Sequence, residues 1–474
     1  MSEQLTPDLC VIGAGSGGLS VAAAAAQLGV SVVLIEKHKM GGDCLNYGCV
    51  PSKALIAAGR RAQQMRTAKP FGIIPTSPSI NHKAVHDHVK EVIAAIAVND
   101  SVERFTGLGV KVVLAPARFV DKTTVSAGDY MIRARRFVIA TGSSPAVPPI
   151  PGLDSVPYFT NETVFDNEEK LDRLIVIGGG PIGMELAQAH ARLGSRVTVL
   201  EAMKALGKDD PELTEVVLKH LREEGLEIRE ATKVQRIEPG EQGVRVTVSV
   251  DGREELVEGS HLLVATGRRP NLADLNLDAA GIKHERGGII VDKGLCTSNS
   301  KVFAIGDVTG GLQFTHVANY HAGIVLRRAL FRLPAKVNND IVPWVTYTEP
   351  ELAHVGLTED EAKKRHGRIK VLRWPYHEND RAQAERVTEG FVKVVLSPKG
   401  KILGASIVGE HAGELIQMWC LAVSQGLNIK AMTSWISPYP TLTEINKRAA
   451  VSHLAAMAQN PWARWIVDRL AKLG

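Results

Sequence analysis

Two stretches of the chain repeat one pattern at one spacing, and that repeat limits the fold more than any other feature. "DLCVIGAGSGGLS" is a short apolar run closing on G-x-G-x-x-G, with Gly13, Gly15 and Gly18. "RLIVIGGGPIGMELA" does the same with Gly178, Gly180 and Gly183. Each is followed by an alanine-rich helical stretch and a second apolar run ending in an acid: "SVVLIE" at Glu36 and "RVTVLE" at Glu201. In both copies the acid falls 23 residues after the first glycine. One such glycine pattern is weak evidence. Two with strand, helix, strand and terminal acid in register are strong evidence for a pair of dinucleotide-binding units rather than two tight turns that bind nothing. The glycines allow a tight turn and close backbone approach to a pyrophosphate. The helix N-terminus offers N–H donors, and the acid accepts from an adenosine ribose.

The echo continues in "VIATGSSP" (138–145) and "LVATGRRP" (263–270). "KVFAIGDV" (301–308) then ends a strand in Gly306 and Asp307, where an acid can reach a ribose or polyol. Proline-rich "PAVPPIPG" (145–152) reads as a linker, and "FRLPAKVNNDIVP" (331–343) as a boundary. From about residue 344 the pattern changes. "RIKVLRWPY" and "FVKVVLSPKGKILGASIVG" alternate apolar and polar residues, with "SPKGK" as a hairpin turn, and helical "AGELIQMWCLAVSQG" follows. That predicts an α+β domain with an antiparallel sheet.

"GGDCLNYGCVPSK" (41–53) places Cys44 and Cys49 five residues apart. On an ideal helix that spacing separates Cα atoms by roughly 8–9 Å, and a disulfide needs about 4.4–6.8 Å. The two can bridge only across a loop or distorted turn, for which Gly48 gives freedom. Pro51 suits a first helical turn, which sets Cys49 at a helix N-terminus, where the dipole favours a thiolate. Zinc sites use closer spacing and four ligands. These residues alone leave a redox pair and two buried bystanders both open.

Charged residues make up 23% of the 474-residue chain and the net charge is +5, too mild for nucleic-acid binding. The N-terminus lacks a signal pattern and no uncharged apolar run reaches membrane-spanning length. Five cysteines in so long a chain point to a reducing, cytoplasmic setting, in which a disulfide is transient and catalytic. Cys10, Cys296 and Cys420 read as buried bystanders, and His82, His86 and His88 as a solvated helix face, so no metal site is expected.

Together these motifs, with "PYPTLTE" near the end, resemble the FAD-dependent pyridine nucleotide–disulfide oxidoreductases, the class I group of dihydrolipoyl dehydrogenase, glutathione reductase and mercuric reductase. The resemblance covers roughly residues 5–450. It implies an α/β chain with two Rossmann-like domains, for FAD and NAD, plus a C-terminal α+β dimerisation domain. The expected bounds are 1–150 with 271–340 for FAD, 151–270 for NAD(P), and 341–474 for the homodimer interface and a helical tail. It implies a redox-active Cys44–Cys49 disulfide, with Cys49 facing the isoalloxazine and Cys44 released as the outward thiol. FAD would be held by Gly13, Gly15, Gly18, Glu36 and Asp307, and Lys53, Thr141, Gly142, Gly306 and Ala318 are expected among the cofactor-binding residues. Gly178, Gly180, Gly183 and Glu201 would hold the nicotinamide nucleotide, and Gly267 and Arg268 are expected among the cofactor-binding residues. Glu201 favours NAD(H), since a 2′-phosphate beside a carboxylate is repelled, although Lys204 and Lys208 lie close in sequence. Lys53, paired with Glu185, would stabilise thiolate and reduced flavin.

The acceptor implied is a disulfide or dithiol, a quinone or a metal ion. The reaction is dihydrolipoyl dehydrogenase-like. The alternatives are a mercuric reductase-like metal-ion reductase and a subunit that reoxidises a lipoyl-bearing partner in a multienzyme complex. One departure bears on this. Where disulfide-reducing members carry H-x-H-P-T-x-S-E, with a histidine–glutamate pair acting on the outward thiol, this chain reads "SPYPTLTE". Glu444 is kept, and Tyr439 stands at the histidine. A tyrosine is ionised about one part in a thousand at pH 7, so slow turnover of lipoamide or glutathione disulfide is expected. No cysteine follows Cys420, so the C-terminal cysteine pair of mercuric reductases is missing. The tail "NPWARWIVDRLAKLG" (460–474) gathers Trp462, Trp465, Ile466 and Leu470 near one helix face, to dock on the partner subunit or touch a membrane surface.

Overall fold

Leu9–Ile12, Val32–Glu36 and Arg136–Ile139 are near-continuous apolar runs, the pattern of strands covered on both faces. The computed structural model describes residues 3–458 and 460–473 and divides into two compact units. The first comprises the described residues of Met1–Ala202 and Arg229–Val337.

In this unit those strands form a five-stranded parallel sheet, in the order Val302–Ala304, Arg136–Ile139, Leu9–Ile12, Val32–Glu36, Lys111–Leu114. Alternate side chains feed two cores. On one face Val11 and Leu34 meet Leu19, Ala22 and Ala25 of the helix Ser16–Gln27 and Ile324 and Val325 of the helix Thr315–Ala329. On the other, Cys10, Ile12 and Val33 meet Phe119, Val125 and Ile132 of a smaller sheet. Cys10 is thus a core residue, whereas Cys296 and Cys420, expected to be buried, are only partly so.

The second repeat builds the same half-barrel of contacts. Arg173–Ile177 lies between Arg196–Leu200 and His261–Val264, parallel to both, with the helix Pro181–Arg192 following its glycine turn. A three-stranded antiparallel sheet, Thr232–Gly240, Gly243–Val250 and Arg253–Gly259, shares its core. Asp251 and Gly252 supply the two left-handed residues that its tight second hairpin requires, at φ 49° and 79°.

The second unit comprises Met203–Ile228 and the described residues of Asn338–Gly474. Its five-stranded antiparallel sheet runs Pro343–Thr346, Glu351–Gly356, Ile402–Gly409, Phe391–Leu396, Lys370–Pro375. "SPKGK" is the hairpin turn, with the Ser397 N–H donating to the Lys401 carbonyl. Buried Trp419 and Tyr376 fill the core with Ile445 and Ala449 of the helix Glu444–Ala458. Residues 203–228, which follow the second repeat in sequence, pack in this unit. Their helix Pro211–Glu223 is anchored by Lys393, whose Nζ lies 2.6 Å from Asp210, 2.9 Å from Glu212 and 2.8 Å from Glu359. Among the described residues no helix is long and apolar enough to cross a membrane.

Candidate active site

The two fingerprints share one geometry. Gly13 and Gly178 take φ 103° and 112°, and a Cβ on either would sit within 2.5 Å of a carbonyl, Ala140 O at 2.4 Å or Ala265 O at 2.5 Å. The third glycines, Gly18 and Gly183, press their helices onto those turns; a Cβ there would lie 1.8 and 2.0 Å from the carbonyls of Gly13 and Gly178. The middle glycines differ: nothing approaches a Cβ on Gly180 within 4 Å, and Gly15 meets only Gly42 Cα at 3.9 Å. Each middle glycine is also an extended N-cap without a side-chain cap, so the helix N–H groups face outward for an anion. Glu36 accepts from the Ala14 N–H at 2.7 Å and Glu201 from the Gly179 N–H at 2.8 Å. Each acid thereby braces the turn from the next strand.

The redox loop is docked onto the first fingerprint. Gly41 donates to the Ala14 carbonyl at 2.9 Å. Gly42, at φ 60°, would place a Cβ 2.7 Å from Gly15 Cα. Cys44 lies in the short helix Gly42–Asn46 and Cys49 opens the helix Cys49–Arg66, so the chain breaks between them, as a bridge requires. Pro51 occupies the first turn as predicted. Gly48 is needed for room: a Cβ would lie 2.9 Å from the Asp43 carboxylate. Both cysteines carry free thiols.

Their electrostatics are unequal. Cys49 is pulled down to about 6, first by donation from Cys44, then by the Thr315 hydroxyl and the Lys53 charge, with burial and Asp43 opposing. Cys44 is pushed well up by the same hydrogen bond and by burial. The balance therefore favours the thiolate on Cys49 over Cys44. Thr315 Oγ1 lies 3.4 Å from Cys49 Sγ. Lys53 Nζ lies 2.8 Å from the buried Glu185 carboxylate, pairing the helix Cys49–Arg66 with the helix Pro181–Arg192.

A second network surrounds Asp307. Gly306, at φ 68°, donates its N–H to His321 Nδ1 at 3.1 Å and would press a Cβ to within 3.1 Å of Ala318 Cβ. Asp307 accepts from Ser143 Oγ at 2.6 Å, and burial raises its pKa. Arg268 donates to Ser143 Oγ at 2.8 Å and to its carbonyl at 2.7 Å, and reaches Asp43 at 3.0 Å. Thr141 Oγ1 donates to the Asn271 carbonyl at 2.9 Å, while Gly142 and Gly267 take φ 67° and 130°.

In the second unit Tyr439 is exposed, and its hydroxyl donates to the Asp380 carboxylate at 3.0 Å. That bond and the Asp380 charge raise the phenol above its ordinary range. Glu444 begins the helix that follows. Sequence reasoning missed Thr315, Asp380, Ser143 and the Asp43 partner of Arg268. Only Ser143 has a local signal, beside "ATG". His82 and His86 are not gathered into a metal cluster; His86 instead faces Asp87 at 3.1 Å and Glu168 at 3.7 Å. Among the described residues the one metal-compatible group is His220, Glu223 and Glu389. There both ring nitrogens of His220 already face carboxylates, Glu389 at 2.8 Å and Glu224 at 3.1 Å.

The donor set fits FAD. The outward N–H groups and open middle glycine suit a pyrophosphate, Glu36 a ribose, and the buried Asp307 a polyol. Comparison with known proteins agrees. Residues 7–322 match the model of the pyridine nucleotide-disulphide oxidoreductases and residues 342–450 that of their dimerisation domain, which supports a homodimer. A mercuric reductase of Bacillus cereus is 37% identical over 94% of this chain and 71% of its own. A dihydrolipoyl dehydrogenase of Staphylococcus aureus is 37% identical over 94% of this chain and 96% of its own. Among solved structures, LpdA from Mycobacterium tuberculosis superposes with a TM-score of 0.87 at 27% identity, covering 95% of this chain and 99% of that one. The HOCl-induced flavoprotein disulfide reductase RclA from Escherichia coli gives 0.83 at 28% identity, covering 94% and 99%.

Proposed function

Because the chain belongs to the pyridine nucleotide–disulphide oxidoreductases, we propose that it is an NADH-preferring flavoprotein reductase of a thiophilic metal ion captured at Cys44. The carrying observation is Tyr439, hydrogen-bonded to Asp380, at the position where the resemblance implies a histidine in disulfide-reducing members. A thiol–disulfide substrate needs a base to take the proton of the outward thiol and an acid to return it. Tyr439, with its pKa raised by Asp380, is no base at neutral pH. A thiophilic cation needs none, since it displaces the thiol proton itself as it binds sulfur.

FAD, bound through Gly13, Gly15, Gly18, Glu36 and Asp307, supplies the two-electron relay between the nicotinamide and the sulfur pair. The chain's own residues do the rest. Cys49 holds the negative charge, stabilised by Thr315 and Lys53, and Glu185 fixes Lys53. Cys44 keeps its proton until the acceptor arrives. Gly178, Gly180 and Gly183 receive the nicotinamide nucleotide's pyrophosphate. The Glu201 carboxylate beside them supports NADH over NADPH by repelling a 2′-phosphate. The domain reading keeps 1–150 with 271–340 for FAD, 151–270 for NAD(P) and 341–474 for the interface, in a cytoplasmic protein whose partner subunit supplies Tyr439. Two relatives support the metal reading in kind: the mercuric reductases by name, and RclA, solved as a Cu(II) complex. With no cysteine in 421–474, the metal would reach Cys44 without a relay through that segment. A second reading, reoxidation of a lipoyl-bearing partner, is favoured by the dihydrolipoyl dehydrogenase that this chain matches over 96% of its length.

The test is anaerobic oxidation of NADH and NADPH with Hg²⁺, Cu²⁺, a quinone, lipoamide or glutathione disulfide, for wild type and Tyr439→His. Metal-dependent turnover should exceed lipoamide turnover at least tenfold in the wild type. Tyr439→His should raise lipoamide turnover by ~10²-fold or more, the usual worth of acid–base help. Fast lipoamide turnover by the wild type would reject the metal reading in favour of the second.

A further inference from the structure

The helix Pro461–Leu470 takes no part in the site and lies past residue 450, where the match to the dimerisation domain ends. It has its own start signal. The Asn460 side chain accepts from the Trp462 N–H at 2.9 Å, and Pro461 stands in the first turn. None of its residues is buried. Trp462 is 69% exposed, Trp465 52%, Val467 66%, Leu470 58% and Leu473 81%. At 100° per residue, Trp465, Trp462, Leu473, Ile466 and Leu470 fall in that angular order within an arc of roughly 140°. Arg464 and Asp468 fall on the other side, and Lys472, past the helix end, continues beside the Trp465 edge of the arc. Arg469 falls within this arc, between Trp465 and Trp462, its guanidinium 5.2 Å from the Trp465 ring centre. Three cations against one acid leave the segment at a net formal charge of +2.

From this we propose that the helix is a membrane-surface anchor for an anionic bilayer. An exposed arc of this size, two of its members tryptophans, marks a surface that is covered in use. Three features select the occupant. Arg469 and Lys472 stand within and beside the arc, at the level where a tryptophan-bearing face meets anionic headgroups. The tryptophans are the side chains that settle at headgroup level, with an apolar ring and a polar N–H. Ten residues make about 15 Å of helix, half a hydrocarbon core, so the segment lies on the membrane and does not cross it. A second copy of the chain is a poorer occupant. The match to the dimerisation domain lies in residues 342–450, outside this helix, and twofold pairing of two such tails would bring like charges together.

The full-chain holoenzyme is sedimented with phosphatidylcholine vesicles, with or without about one third phosphatidylglycerol, beside Trp462→Ala/Trp465→Ala and a chain ending at Ala458. The wild type should pellet with the anionic vesicles at about 50 mM salt, at least fivefold less with neutral ones, and be released near 0.5 M salt, where charge attraction is screened. Both variants should lose at least tenfold in the pelleted fraction while keeping the dimeric mass by light scattering and the NADH–acceptor rate. No pelleting of the wild type, or equal pelleting of the tryptophan variant, overturns the anchor. A monomeric mass for either variant overturns it too, and assigns the arc to a second copy.

Discussion

Replacing Thr315 with valine should raise the pH at which Cys49 becomes a thiolate. Thr315 Oγ1 lies 3.4 Å from Cys49 Sγ, and with Cys44 and Lys53 it is among the groups that bring this thiol from 9.0 down to about 6. Valine keeps the shape and removes the donor. A hydrogen bond to a charged group is worth about 1.5–3 kcal/mol. This one is long, so a value just below that range applies, about 1.4 kcal/mol or one pH unit. The assay is iodoacetamide alkylation of the reduced protein against pH, with peptide mass separating Cys49 from Cys44. With midpoints near 6 and 7, the thiolate fractions at pH 5.5 are ~0.24 and ~0.03, an ~8-fold rate difference. At pH 8 they are ~0.99 and ~0.9, and the rates converge. An unchanged midpoint would refute the assignment. So would a difference that persists at pH 8, since that reports access to the sulfur rather than its charge.

Three further outcomes follow from the same geometry. Glu201→Ala should narrow the preference for NADH over NADPH at least tenfold in kcat/KM, as a carboxylate–ribose bond of about 1.5 kcal/mol disappears with the charge that repels a 2′-phosphate. Lys393→Met should cost about 3 kcal/mol in urea unfolding, the low end for breaking a buried pair, because Arg373 and Lys363 still serve Glu212 and Glu359. Glu359 is held down to about 2 by Lys363 and Lys393, so its contribution is present above the ordinary carboxylate range and lost as pH falls through the lowered value. The deficit of Lys393→Met should therefore shrink in acid. His220 has its pKa raised by Glu224 and Glu389, so its bridge is intact below the ordinary histidine range and fades as pH climbs through the raised value. The gap in melting temperature between wild type and His220→Gln should accordingly be wider at pH 5.5 than at pH 9.

What could be read in advance was local. A turn, a helix start and an acid one strand on are fixed by residues within about 25 positions, so Gly13 to Glu36 and Gly178 to Glu201 declare themselves. Thr315 is 266 residues from Cys49, and Asp380 is 59 from Tyr439. Such pairs exist only after sheets and helices have packed. Lys393 misleads for a related reason. In "FVKVVL" it reads as a solvent-facing residue of an alternating strand, yet its side chain is 4% exposed because the acids flanking the helix Pro211–Glu223 close over it.

Arg268 is the point at which the repeat and the cysteine pair, legible only separately, become one device. It belongs to the second copy's "ATGRRP", yet its guanidinium stands 3.0 Å from Asp43, next to Cys44, and 3.9 Å from Asp307. Asp43 on its own raises the Cys49 thiol and so works against the thiolate. Its carboxylate also takes Asn161 Nδ2 at 3.2 Å, so the acid next to Cys44 is tied from two sides. Arg268 thus pairs with the acid whose charge opposes the thiolate on Cys49. Mutating Arg268 should therefore act at the sulfur as well as at the nucleotide, and thiolate titration and coenzyme affinity would shift together.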